Sequence, residues 1–199
     1  MTAAVPSRRE AIVETLHGVP VADPYRWLED GTAPEVKSWV AAQNTLTDET
    51  LARVPEREAL HERLTQLLAI GTISLPVVRR TRGGQLRLFF TRRSGPQDQP
   101  VLYVRDGLRG QDRTLVDPNR ETSDGTTSLD WYDPSPDGSM LAYGTSQGGT
   151  EDSTLRVREV ATSRDLPDRI ERTRFASVAW SVDARSFFYT RYPRPGSVP

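Results

Sequence analysis

The spacing of apolar residues changes near Gly71 and divides the chain into two parts with different predicted structures. Before it, apolar residues recur at helical intervals, and Val36, Trp39 and Val40 share one face of a helix predicted over residues 33–51. A second helix is predicted behind Pro55, which would occupy its first helical position. Its apolar stripe has the spacing i, i+4, i+7 and i+8 and consists of Leu60, Leu64, Leu67 and Leu68. We expect this part to be helix and ordered coil.

After Gly71 apolar and polar residues alternate with a period of two, which is typical of half-buried β-strands. Glycine-containing turn signals such as Gly83-Gly84, Asp106-Gly107 and Asp137-Gly138 separate the alternating segments. The pattern predicts antiparallel strands joined by short hairpins. These strands are predicted over residues 86–90, 101–104, 114–116, 140–145, 154–160, 175–180 and 186–192.

The second part also repeats. Ser135–Tyr143 aligns with Ser181–Tyr189, which gives a period of 46 residues, and a looser copy begins at Gly83, about 54 residues earlier. Periods of ~40–50 residues with several strands each are typical of β-propeller blades. Residues 71–199 provide about two and a half blades, whereas roughly four to eight are needed for closure. We therefore expect an incomplete propeller.

Composition excludes several classes of protein. The 199 residues include no cysteine, which excludes disulfides, thiolate zinc sites and a cysteine nucleophile. A net charge of −1 argues against a nucleic-acid binder, and a mean hydropathy of −0.57 without a long apolar run argues against a membrane span. No metal or other cofactor is expected. The N-terminal residues lack the apolar stretch of a signal peptide, so we expect a cytoplasmic protein.

One short motif imitates a catalytic site. Gly144–Gly148 satisfies the G-x-S-x-G pattern of the hydrolase nucleophile elbow, which requires a strand before the serine and a helix after it. Here another predicted strand follows, and the two histidines, His17 and His61, both precede the serine. We interpret this motif as a hairpin between strands. His61 is interpreted as a surface or helix-packing residue.

An ordered string of motifs along nearly the whole chain resembles the prolyl oligopeptidase family of serine peptidases. Two departures are the absence of a tryptophan from residues 150–153 and the absence of a glycine from the turn at residues 181–184. The motifs that carry the resemblance are His17–Asp30, Trp39–Asn44, Val101–Val104, Leu115–Asn119, Asp124–Thr126, Ser135–Gly138, Arg164–Asp168 and Phe188–Pro195.

The resemblance implies mostly β structure with an N-terminal helical segment. Residues 1–70 would be the segment that packs on a C-terminal α/β-hydrolase domain, and residues 71–199 the first blades of a propeller that gates access to the active site. The family's catalytic Ser, Asp and His would lie in the hydrolase domain, beyond this sequence. The implied partners are short proline-containing peptides, cleaved after proline, and that hydrolase domain. The full-length protein would be a monomer, and the chain alone would be inactive.

The resemblance also implies a substrate-contacting residue, Phe175, at a position where a propeller phenylalanine lines an apolar subsite. An ordinary blade-core aromatic is the alternative for Phe175. Two alternatives to a peptidase also stand: a non-catalytic propeller-type binding module, and a truncated gene product. The distinctive Asp-Pro-Tyr-Arg-Trp motif ending at Trp27 is interpreted as structural, because a proline-fixed turn with two aromatics can anchor a coil to a neighbouring domain.

Overall fold

A computed structural model of the chain describes residues 4–95, 97–122, 124–194 and 196–197. The backbone contacts divide the chain into two compact units, residues 1–66 and 67–199. No helix within the described residues is long and apolar enough to cross a membrane.

The first unit begins with a β-hairpin that the sequence pattern did not predict. Strands β1 (Val13–Leu16) and β2 (Val19–Ala22) pair antiparallel. His17 and Gly18 join them, with φ values of 52° and 81°. A tight hairpin turn requires positive φ at both central positions, and histidine does not signal this as asparagine would. The expectation of helix and coil alone was therefore wrong here.

The two predicted helices are present in the first part of the chain. Helix α1 (Pro34–Leu51) carries a proline in its first turn and buries Val36. Helix α2 (Arg57–Leu68) begins two residues after Pro55, so the expected position of that proline inside the helix was wrong. Each leucine of the α2 stripe is exposed, by 43% at the least.

The Asp-Pro-Tyr-Arg-Trp motif forms contacts within the first unit. A short 3-10 helix (Arg26–Glu29) follows its tyrosine. The guanidinium of Arg26 bonds Asp23 and also Glu14 on β1, the latter with an Nη1–Oε1 distance of 2.9 Å. The indole of Trp27 packs edge-on against Trp39 of α1, with ring centroids 6.2 Å apart. These contacts fasten the coil to the hairpin and to α1, which supports the structural interpretation of the motif.

The second unit contains two blades and a further pair of strands. Its strands are β3 (Thr72–Ile73), β4 (Val77–Arg80), β5 (Leu86–Arg93), β6 (Val101–Asp106), β7 (Asp112–Val116), β8 (Thr127–Pro134), β9 (Met140–Gln147), β10 (Thr154–Glu159), β11 (Arg164–Ile170), β12 (Val178–Trp180) and β13 (Phe187–Tyr189), and all pairs are antiparallel. In the first blade, β3 and β4 both pair with β5, and β5, β6 and β7 follow in order. In the second blade β8, β9, β10 and β11 are neighbours in chain order, and β12 pairs with β13 in a separate sheet. A second 3-10 helix, Pro118–Arg120, links the blades.

The core of this unit lies between the two blades. Phe89 and Leu102 from the first blade and Leu141 and Tyr143 from the second are each 0% exposed within one apolar cluster. Burial of this shared face explains why single blades need neighbours. The strands do not close into a ring, as the count of about two and a half blades predicted.

The sequence repeat corresponds to one turn used twice, with a shorter related turn in the first blade. In the second blade Ser135 N bonds Met140 O, Gly138 N bonds Ser135 O, and the Ser135 hydroxyl donates to Asp137. The turn that begins at Ser181 reproduces these bonds 46 residues later, with Ala184 at the glycine position. In the first blade the Gly84 N–H bonds Thr81 O in a related turn. The repeat is therefore structural as well as sequential.

Candidate functional site

Phe175 lies in the segment that joins β11 to β12 and not inside a strand. The strand predicted over residues 175–180 covers only Val178–Trp180, so that boundary was wrong. The side chain of Phe175 is 71% exposed and its φ is 52°. A bulky residue in the left-handed region costs of order 1 kcal/mol or more, and such strain often marks functional positions.

The neighbouring Thr173 fixes the backbone of this segment. Thr173 is fully buried, and its N–H and hydroxyl both donate to Ser153 O, at 3.0 and 2.8 Å. Trp131 Nε1 donates to Thr173 O at 3.2 Å. These hydrogen bonds attach the segment to the second blade two residues before Phe175. They therefore fix the position of the backbone that carries the phenylalanine.

Charged side chains orient the ring of Phe175. The guanidinium of Arg174 lies over that ring, 5.1 Å from its centroid, and bonds the carboxylate of Glu151. Glu151 stands in the β9–β10 connection and has a φ of 59°. Neither Arg174 nor Glu151 belongs to a motif that the sequence alone singles out. A cation above an aromatic face restrains the ring in one orientation.

Phe175 contributes to the lining of three cavities. The first, about 550 Å³, is lined by Asp152, Thr154, Glu171, Arg172, Arg174, Phe175, Tyr192 and Pro193. The other two are smaller: one of about 270 Å³ includes Trp131 and Ala176, and one of about 230 Å³ includes Thr190 and Arg191. Arg172 Nε donates to Tyr192 O at 3.1 Å and so holds one wall of the larger cavity. An exposed ring that lines cavities of this size suits the binding of an apolar side chain among polar groups.

A partly buried polar group joins the blades. Arg158 Nε lies 2.6 Å from Asp165, the Tyr143 hydroxyl donates to the same carboxylate at 3.0 Å, and Arg158 also bonds the backbone carbonyl of Leu115 in the first blade. Burial raises the pKa of Tyr143. Burial alone would raise the pKa of Asp165, but the bonds from Arg158 and Tyr143 outweigh it and lower this pKa. The group fixes the position of the second blade, which carries the Phe175 segment.

The G-x-S-x-G motif is a strand and a turn. Ser146 lies within β9, 4% exposed, and its hydroxyl donates to Asp130 at 2.9 Å. The chain then turns at Gly148 and Gly149 and enters β10, so no helix follows the serine. Gly144 is required because a Cβ there would lie 2.4 Å from Trp131 Nε1. The hairpin interpretation is confirmed.

Two further sequence interpretations concern histidines and metals. His61 lies exposed on α2, as interpreted. Within the described part of the chain, no three His, Asp or Glu side chains gather in a way that could hold a metal ion.

The family model described as "Prolyl oligopeptidase, N-terminal beta-propeller domain" matches residues 5–199. The chain belongs to this family. The resemblance, the mostly β fold with an N-terminal helical segment and the incomplete propeller are thereby confirmed.

Curated relatives of this propeller domain are longer proteins. The prolyl endopeptidase of Elizabethkingia meningoseptica is 32% identical over 194 residues, which cover 96% of this chain and 26% of the relative. Prolyl oligopeptidase A of Amanita bisporigera is 31% identical over 210 residues, which cover 93% and 26% respectively. The chain thus spans about a quarter of the length of these relatives.

Solved structures show the same similarity. A structure from work on two prolyl endopeptidases and the role of inter-domain dynamics in their catalysis and specificity matches with a TM-score of 0.85 at 38% identity, over 97% of this chain and 28% of that one. Prolyl oligopeptidase B from Galerina marginata, bound to a 35mer hydrolysis and macrocyclization substrate, matches with a TM-score of 0.74 at 27% identity, over 94% and 29%.

Proposed function

We propose that this chain is the propeller-bearing N-terminal part of a serine endopeptidase that cleaves short peptides on the carboxyl side of proline. The match to the family model over residues 5–199 is the observation that carries the proposal. Similarity to chains named prolyl endopeptidase over about a quarter of their length supports it. The comparisons give no support to a stand-alone binding module.

The chain would contribute to substrate binding through the surface formed by Phe175, Arg174 and the cavities that Phe175 lines. The exposed ring, which lies beside the guanidinium of Arg174 and lines three cavities, suits a peptide side chain near proline. The Galerina marginata relative binds a 35mer peptide substrate, which supports a peptide as the ligand class. The propeller would restrict entry to short peptides by placing this surface along the route to the active site.

The chemistry itself would be supplied from outside these residues. Acyl transfer to serine needs a nucleophile, a general base and oxyanion-stabilising donors close together. Ser146 bonds Asp130, and both histidines precede residue 67, outside the unit that contains Ser146. The 199-residue chain by itself is therefore expected to be inactive.

The test compares the natural gene product with the 199-residue chain, using a chromogenic Gly-Pro peptide. We expect hydrolysis after proline by the natural product, sensitive to a serine-directed covalent inhibitor, and none by the 199-residue chain. A purified natural product that does not cleave after proline would contradict the proposal. Activity in the isolated chain, free of contaminating peptidase, would contradict the assignment of catalysis to residues outside it.

A further inference from the structure

A polar cleft on the second blade differs in its chemistry from the larger Phe175 cavity, with which it shares Asp152 and Thr154. It has a volume of about 400 Å³, and hydroxyl and charged groups dominate its lining. Arg156 on β10 and Arg169 on β11 both line it, and Glu121 and Asp152 are the carboxylates present. The hydroxyls of Thr145 and Thr154, which are cross-strand neighbours, lie in the same wall.

Arg156 and Arg169 are directly opposite each other in the β10–β11 ladder. Like charges in this position repel and destabilise a strand pair. The same two strands place Arg158 opposite Asp165, and the first blade places Arg105 opposite Asp112, each pair joined by an ion pair of 2.6 Å. Arg156 and Arg169, in contrast, place two positive charges opposite each other.

In another pair of opposed arginines, each positive charge is balanced by a carboxylate. Arg79 and Arg87 are cross-strand neighbours in the first blade, but Arg79 pairs with Asp133 and Arg87 with Asp106. Among the ion pairs of residues 4–95, 97–122, 124–194 and 196–197, with nitrogen and oxygen within 4.0 Å, none includes Arg156 or Arg169.

The Arg156 side chain also contains a polar atom without a partner. Its Nε is buried and makes no hydrogen bond to any described residue. A buried donor that stays unpaired costs about 1–3 kcal/mol, more for a charged group, so such groups are normally satisfied. Two opposed guanidiniums without a carboxylate partner, both lining one polar cleft, are the features of an anion site.

We infer that the cleft binds a carboxylate, carried by a small organic acid or by the C-terminus of a short peptide. Guanidinium forks match the two oxygens of a carboxylate, and the threonine hydroxyls can donate further hydrogen bonds. The exposed carboxylates of Glu121 and Asp152 at the same cleft disfavour a doubly charged phosphate through repulsion, so a single negative charge is preferred. This inference does not depend on the proposed peptidase activity.

The test measures binding to the natural gene product by isothermal titration calorimetry at fixed ionic strength. The probes are N-acetylglycine and its amide, which differ only in the carboxylate, and inorganic phosphate. We expect saturable binding of N-acetylglycine, at least tenfold weaker binding of the amide and of phosphate, and at least a tenfold loss for Arg156→Gln and for Arg169→Gln. Arg185→Gln, which removes an exposed arginine elsewhere, should bind as the parent does.

Three results would overturn the inference. Equal binding of the acid and the amide would show that the carboxylate is not recognised. If Arg156→Gln and Arg169→Gln both bind N-acetylglycine as the parent does, the probe binds at another site, such as the peptidase site. No saturable binding by a folded protein, checked by its melting curve, would mean that the cleft binds no carboxylate ligand.

Discussion

The indole of Trp131 lies directly against the backbone of Gly144, where an added Cβ would stand 2.4 Å from Nε1. Strand β8 therefore packs its tryptophan on β9 at the one position without a side chain. The same indole donates to Thr173 O and so supports the segment that carries Phe175. This contact links the packing of the second blade to the proposed substrate surface.

Gly144→Ala should destabilise the second blade. The indole is held by its hydrogen bond, so it cannot move away without losing that bond, and overpacking of this kind costs about 1–3 kcal/mol. A lower urea midpoint of the natural gene product would show the effect. Gly31→Ala is the matched control, since a Cβ there meets nothing within 4 Å and its φ is not left-handed. Equal midpoints for both variants would contradict the role given to Gly144.

Ala184→Gly should stabilise the second copy of the repeated turn, which begins at Ser181. Ala184 has a φ of 60°, where the equivalent Gly138 has 65°, and alanine pays a steric cost in this region that glycine does not. Glycine also loses more chain entropy on folding, which offsets part of this steric relief. The free energy of unfolding should therefore rise by about 0.5–1 kcal/mol. The reverse change, Gly138→Ala, should destabilise, and its Cβ would also lie 3.2 Å from Arg87 Cδ. The melting temperatures of Ala184→Gly and Gly138→Ala test this prediction. If both substitutions shift the melting temperature in the same direction, the prediction is wrong.

The Asp137 carboxyl should make stability depend on pH in the acid range. Burial alone would raise its pKa, but bonds from Ser139, Ser135 and Arg82 outweigh it and lower this pKa to about 2. The unfolded chain, with the ordinary pKa near 3.8, binds the proton first, so this contribution is complete above about pH 4 and is lost as pH falls towards 2.

The measurement is the melting temperature of the natural gene product from pH 5 down to pH 2. Asp137→Asn should be less stable than the parent at pH 5, and the difference should shrink towards pH 2. Asp168→Asn, at an exposed position on β11, should follow the parent curve. A difference between Asp137→Asn and the parent that stays constant with pH would rule out the titration of Asp137 as the cause.

Phe175→Ala should impair peptide binding without loss of stability. The ring is 71% exposed, so its removal costs the fold little, whereas a substrate side chain would lose an aromatic partner. We expect KM for proline-containing peptides to rise about five- to thirtyfold, with kcat changed less. Leu108→Ala removes another apolar side chain that is 71% exposed, in the β6–β7 connection and outside the Phe175 cavities, and should leave KM unchanged. If the two variants behave alike, Phe175 has no specific role.

Local patterns in the sequence were enough to predict most of the fold. Alternation predicted seven of the strands between Leu86 and Tyr189 but missed β8 and β11, and the repeat of Ser135–Tyr143 predicted the blades. Both signals are carried by adjacent residues. The hairpin at His17–Gly18 was missed because its turn relies on a histidine with positive φ.

The site was only partly predictable, because its parts come together from distant segments. Phe175 entered through the family resemblance, and its exposure appeared only in the structure. The Arg174–Glu151 bond joins residues 23 positions apart, and the Arg156–Arg169 pair depends on strand register. Neither relationship has a periodic signal in the sequence.

The most direct test of the central claim is the intact mass of the natural gene product, taken from its own cells by mass spectrometry. The chain described here has a mass of 22.3 kDa and spans 26% of the Elizabethkingia meningoseptica relative. The account predicts a mass several times 22.3 kDa, which would provide room for the catalytic residues. A mass near 22.3 kDa would contradict it, and the peptidase function would have to be abandoned.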